Sequence, residues 1–85
     1  MTKIDIENLL MTGINTTMMV NGEFPLDYTH TDLGVEFVIG INKNHPLYAR
    51  INSIAAAYDY QIDETNTKMI NGNPNMKVVL VPQIY

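Results

Sequence analysis

His30 is the residue whose surroundings first suggest chemistry. Asp27 and Asp32 flank it, and Tyr28 stands close by. A carboxylate-flanked imidazole can ligate a metal or act as a general base. A metal needs three or four ligands, and His45 is the only other imidazole in a chain without cysteine. The pattern therefore fits a polar loop that meets a partner, and no metal or other cofactor is expected.

His45 precedes Pro46 in the run Lys43-Asn44-His45-Pro46, between a predicted strand and a predicted helix. Ligands often bind at strand ends of this kind, and a helix N-terminus favours an anion. The run has no glycine cluster to cradle a phosphate, so capping by His45 is the plainer role. A third polar group begins at Asp59, Asp63 and Glu64 and continues through Thr65, Asn66 and Thr67 to Asn71 and Asn73. The spacing is not that of a calcium loop. Its neutral donors and acceptors suit a base, a sugar or a peptide backbone, with Lys43 and Arg50 available for charge. Asn15-Thr16-Thr17 matches a glycosylation acceptor but has no apolar leader before it to give that meaning.

These residues need elements to position them. Thr2 to about Thr12 reads as a short amphipathic helix, with Thr2 as cap, Asp5 and Glu7 in the first turns and Ile6, Leu9 and Leu10 as its stripe. Gly13 is placed to stop it. Ile14, Thr16, Met18 and Val20 alternate with Asn15, Thr17 and Met19, which predicts a strand over 14–20. That strand puts Met19 on the face away from Met18, where an adaptable thioether could contact a partner. Asn21-Gly22 suits a hairpin turn, with 23–26 as a short return strand limited by Pro25. A loop over 27–34 carries Tyr28, His30 and Asp32. Val35, Phe37, Ile39 and Ile41 form the clearest half-buried strand.

Pro46 opens a second helix over about 46–58, with Leu47, Ile51, Ile54, Ala55 and Tyr58 on one face. A hairpin from about 60–70 to 76–84 closes the chain, with a helix running on through Asp63 as the alternative. Met76, Val78, Leu80 and Ile84 on one face and Val79 and Val81 on the other predict a central strand covered on both faces. The expected fold is α+β: a mainly antiparallel five-stranded sheet with two helices packed on it, in the order α-β-β-β-α-β-β.

Composition sets the remaining bounds. The chain has 85 residues, nine acids against five Lys and Arg, and a net charge of −4. That allows one domain, 1–85, and leaves out disulfide scaffolds and thiolate zinc sites. The acidic balance argues against direct nucleic-acid binding, which needs clustered positive charge. No apolar run exceeds five residues, so no membrane association is expected, and the start Met1-Thr2-Lys3-Ile4-Asp5 lacks a signal peptide's apolar stretch. A soluble cytoplasmic protein follows. Ten Asn, eight Thr and ten Ile against one Arg is usage typical of AT-rich genomes, those of many phages among them. A chain this short buries roughly 60–65% of its unfolded surface, so a homo-oligomer would add needed burial.

No catalytic constellation emerges, and the chain is expected not to be an enzyme. The leading expectation is a small non-enzymatic binding protein, an inhibitor or adaptor that occupies a protein partner. Tyr28, His30, Asp32 and Met19 form its contact surface. A basic partner is expected, because an acidic surface steers toward positive ones. The alternative is an oligomeric small-molecule or nucleotide-binding protein that sequesters its ligand at subunit interfaces. Lys43, His45, Arg50, Thr65, Asn66, Thr67, Asn71 and Asn73 would then supply the sites.

Overall fold

The structure is a computed structural model that describes residues 1–20, 22, 27–70 and 75–83. Two helices and five strands follow in the order α1 (Lys3–Val20), β1 (Tyr28–His30), β2 (Val35–Ile39), α2 (Pro46–Ala57), β3 (Tyr60–Ile62), β4 (Lys68–Met69) and β5 (Met76–Pro82). The sheet is antiparallel throughout and the class is the expected α+β. The element order departs from expectation in one respect: the strand predicted over 14–20 belongs to α1, and the fifth strand comes from 60–70, which supplies two.

α1 begins as its sequence suggests. Asp5 N–H donates to Thr2 Oγ1 at 3.1 Å and Thr2 N–H to Asp5 Oδ2 at 3.3 Å, a reciprocal cap. The helix then runs past Gly13 because Ile14 and Met18 continue the buried stripe of Glu7, Leu10 and Met11. Alternation at 14, 16, 18 and 20 and a helical stripe at 14 and 18 share two of their apolar residues, and the core selects the stripe. The threonines adapt to the helix. Thr12, Thr16 and Thr17 donate their hydroxyls to the carbonyls of Asn8, Thr12 and Gly13 at 2.8, 2.8 and 3.1 Å. Gly13 faces α2: Ile54 Cγ2 lies 3.4 Å from where its Cβ would be, an ordinary contact distance. Gly22, at φ 84°, donates its N–H to Met19 O at 3.1 Å beyond the helix end. The predicted return strand 23–26 lies outside the described residues.

β1 and β2 form a hairpin inside and after the predicted loop, joined by the turn 31–34, where Thr31 N–H donates to Gly34 O at 2.7 Å. Gly34 is required, because a Cβ there would collide with the Leu80 carbonyl oxygen. α2 is capped by His45, whose Nδ1 accepts from Leu47 N–H at 3.1 Å. β5 is central. β2 pairs with one edge of it and β3 and β4 share the other, pairing with its two ends. The chain leaves the ladder between β3 and β4, so the backbone of Val79 needs other partners. Asp63 N–H donates to Val79 O at 2.8 Å, and Val79 N–H donates to Thr67 Oγ1 at 3.0 Å. This repair explains why Thr67 is buried. It also excludes the alternative of α2 running on through Asp63.

Both helices pack on one face of the sheet. Leu10, Met11, Ile14 and Met18 of α1 and Leu47, Ile51 and Ala55 of α2 meet Val35, Phe37, Ile39, Met76, Val78, Leu80, Tyr60 and Ile62. The expected cover on the second face is missing among the described residues. Val79 is buried there, yet Val81 and Lys77 are half-buried and Val38 is 47% exposed. The strand pattern of a doubly covered β5 therefore has a helix layer on one side only.

Candidate binding surface

Two places gather polar side chains with geometry. The first lies under the turn 31–34. Glu7 sits on the buried stripe of α1 with no exposed side-chain surface. His30 Nδ1 lies 2.6 Å from its Oε1, and Tyr60 OH donates to Oε2 at 2.7 Å. Lys3 Nζ, one helical turn away, lies 3.1 Å from Oε1 and 3.0 Å from Oε2. An ionised carboxylate only accepts, so Nδ1 carries the hydrogen of the His30 contact. His30 Nε2 lies 3.2 Å from Asn8 Oδ1, which also accepts from Tyr28 OH at 2.8 Å. Burial alone would raise the Glu7 carboxyl. The hydrogen bonds from His30, Tyr60 and Lys3 and the Lys3 charge outweigh burial and hold it below the ordinary carboxylate range. Burial and the bond to Glu7 together push the Tyr60 hydroxyl up.

Both oxygens of Glu7 are thus occupied by protein donors. The cluster acts as a brace. Lys3 Nζ also donates to Thr31 O at 2.8 Å and Gly34 O at 3.3 Å, tying the turn to α1. Thr31 Oγ1 accepts from Gly34 N–H at 3.1 Å and tightens it further.

The second place is what that turn presents. Leu33, at its tip, is 64% exposed. It borders an open groove of about 610 Å³ on the bare sheet face, whose walls include Asp32, Glu36, Lys68, Ile70, Lys77 and Val79. Glu36 and Lys77 pair at 3.3 Å. A smaller concavity on the same face runs from Leu33 past Val81 to Pro82.

The predicted contact residues divide. Tyr28 and His30 are half-buried against α1, and β1 holds them. Their rings meet edge to face with centroids 5.5 Å apart. Asp32 is exposed beside Leu33. Met19 is 60% exposed, as expected, but on the last turn of α1, about 18 Å along the helix from Glu7 at standard rise. The structure does not bring it to the other three.

The alternative set scatters as well. Lys43 pairs with Glu64 at 3.3 Å, and Tyr48 OH donates to both Glu64 oxygens at 2.9 Å. Burial, then the bond and charge of Glu64, push the Tyr48 hydroxyl up to about 12. His45 is a cap, Thr67 is buried in the sheet repair, and Arg50 is exposed on α2. Thr65 and Asn66 are organised by Asp63, which accepts from Thr65 N–H at 3.2 Å and Asn66 Nδ2–H at 2.7 Å. Of the described members of this set, Asn66 alone lines the groove. Asn71 and Asn73 lie outside the described residues.

No family model matches the chain, and neither a curated protein nor a solved structure does. The residues themselves must carry the functional argument.

Sequence patterning does not single out Glu7, Leu33 or Lys68. Glu7 had a readable signal: it falls three and four residues before Leu10 and Met11, on the stripe those residues bury. A carboxylate on a buried stripe requires partners. Leu33 had none, because its exposure depends on the turn that Lys3 fastens. Among the described residues no His, Asp and Glu cluster could hold a metal ion, and no helix is long and apolar enough to cross a membrane.

Proposed function

We propose that this chain is a small non-enzymatic binding protein that works by occupying a protein partner, with Leu33 and the bare sheet face as its contact surface. One observation carries the reading. An exposed leucine stands on a turn that Lys3, Glu7 and His30 hold in place, beside a groove of mixed apolar and charged walls. An isolated exposed leucine needs no explanation, but one whose presentation is fixed by a buried polar network does. Rigid presentation lowers the ordering cost of association, and apolar side chains entering a partner's pocket carry much of the energy. The contact centre in this reading is the tip of the predicted loop 27–34. Tyr28 and His30 support it from behind, and Asp32 flanks it. The net charge of −4 steers the molecule toward basic partners, in a soluble, cytoplasmic setting.

The test is affinity capture from host lysate by the wild type and Leu33→Asp, read by native mass spectrometry. A stoichiometric protein held by the wild type and bound at least tenfold more weakly by the variant is the expected result. Equal retention by both would refute the assignment of the surface. A bound species of a few hundred daltons in place of a protein would refute the protein-partner reading itself.

A further inference from the structure

The bare sheet face carries opposite charges at its two ends. Asp32 lies in the turn before β2, next to the Val35↔Leu80 end of the ladder. Lys68 lies on β4, opposite Lys77, which in turn pairs with Val38. By standard strand spacings the two ends are about 10 Å apart along the strands and about 10 Å apart across them. Glu36 and Lys77 lie between them and neutralise each other at 3.3 Å. Neither the Asp32 nor the Lys68 side chain has a hydrogen-bond or ion-pair partner among the described residues. Lys68 faces Lys77 directly across the ladder, and the one acid beside that pair, Glu36, is already taken up by Lys77 at 3.3 Å.

Leu33 and Asp32 border the groove at one end, and Ile70 and Lys68 border it at the other. The face thus carries an exposed leucine, an open groove and a charge of opposite sign at each end.

We propose that a second copy of this chain covers the face in the free protein, as a two-fold pair in which Asp32 of each copy meets the partner's Lys68 and Leu33 of each enters the partner's groove. A two-fold axis lying between the two sheets, perpendicular to the Asp32–Lys68 line, exchanges the two ends and makes both charge pairs at once. A basic foreign partner would pair with the Asp32 end alone. Association with a second copy satisfies both, and it adds apolar burial that an 85-residue chain is short of. The inference rests on the same face as the partner reading above: pairing is the state from which a partner would displace one copy.

Sedimentation velocity tests it with the full chain at micromolar to millimolar concentration. Asp32→Lys and Lys68→Asp each place like charges in both contacts. Each is expected to weaken self-association at least tenfold, with an unchanged circular dichroism spectrum, since both side chains are exposed. Mixing the two variants in equal amounts restores opposite charges in both contacts, so association returns in the mixture alone. A wild type that stays monomeric to millimolar concentration overturns the pair. So does a dimer that neither substitution weakens, or a mixture that fails to reassociate. The two readings fail separately. A monomer that still loses a captured protein on Leu33→Asp refutes only the pair, while a charge-swappable dimer that captures nothing refutes only the foreign partner.

Discussion

Glu7 shows how one side chain can tie three elements together. Its oxygens take Lys3 from its own helix, His30 from β1 and Tyr60 from β3. The carboxyl is held below its ordinary range, so the folded state favours the ionised form. The stabilisation is fully present above the unfolded carboxyl value and is lost as pH falls through the lower folded value. Glu7→Gln leaves Lys3, with 39% of its side chain exposed, and His30, with 28%, facing an uncharged amide. It is expected to cost about 2 kcal/mol at neutral pH, in the range for a hydrogen bond to a charged group, because the partners left behind still reach water. Chemical denaturation of both proteins from pH 7 down to pH 3 checks this: the gap between them should close as the wild-type carboxyl protonates. A gap that stays constant across that range would show that Glu7 contributes by packing alone. Sequence carried part of this site. Lys3 and Glu7 stand one helical turn apart, but the meeting with His30 and Tyr60 depends on a chain path that no local pattern encodes.

At the scale of elements, α1 teaches the most. Gly13 has the look of a helix stop, and the alternation after it has the look of a strand. The structure uses neither signal, because Ile14 and Met18 bury on the helical stripe and the helix runs on through Gly13. A glycine inside a helix costs about 1 kcal/mol against alanine. A Cβ at position 13 would meet Ile54 Cγ2 at 3.4 Å, ordinary contact distance. Gly13→Ala should therefore stabilise the protein by about 0.5–1 kcal/mol, read as a shift of the urea midpoint at unchanged slope. A loss of stability instead would mean that α1 and α2 cannot yield even a few tenths of an ångström. The elements with stronger local signals, β2, α2 and β5, were legible nearly to their ends. β3 and β4 were legible as one strand because the sequence of 60–70 does not show that Thr67 must turn inward to serve the Val79 amide. Where a side chain substitutes for a ladder bond, periodicity is silent.

For the whole molecule, the two faces of the sheet differ in kind. One is sealed by both helices, and the other carries Leu33, Val38 and Val81 with a few charges. If a second copy covers that face, folding and association are linked, and stability depends on how much protein is present. The thermal midpoint of the wild type should rise by several degrees between about 1 and 100 μM, while that of Lys68→Asp should stay flat. A flat wild-type midpoint over the same range would place all the folding free energy within one chain.

The rims of the sheet have a consequence of their own. β1 offers three residues at one edge, and the other edge is divided between β3, with three, and β4, with two, separated by the excursion that Asp63 and Thr67 hold in place. A foreign strand needs a longer uninterrupted row of backbone groups to add itself in register. Among the described residues, the edges of the sheet are thus poorly suited to growing sideways into a fibril.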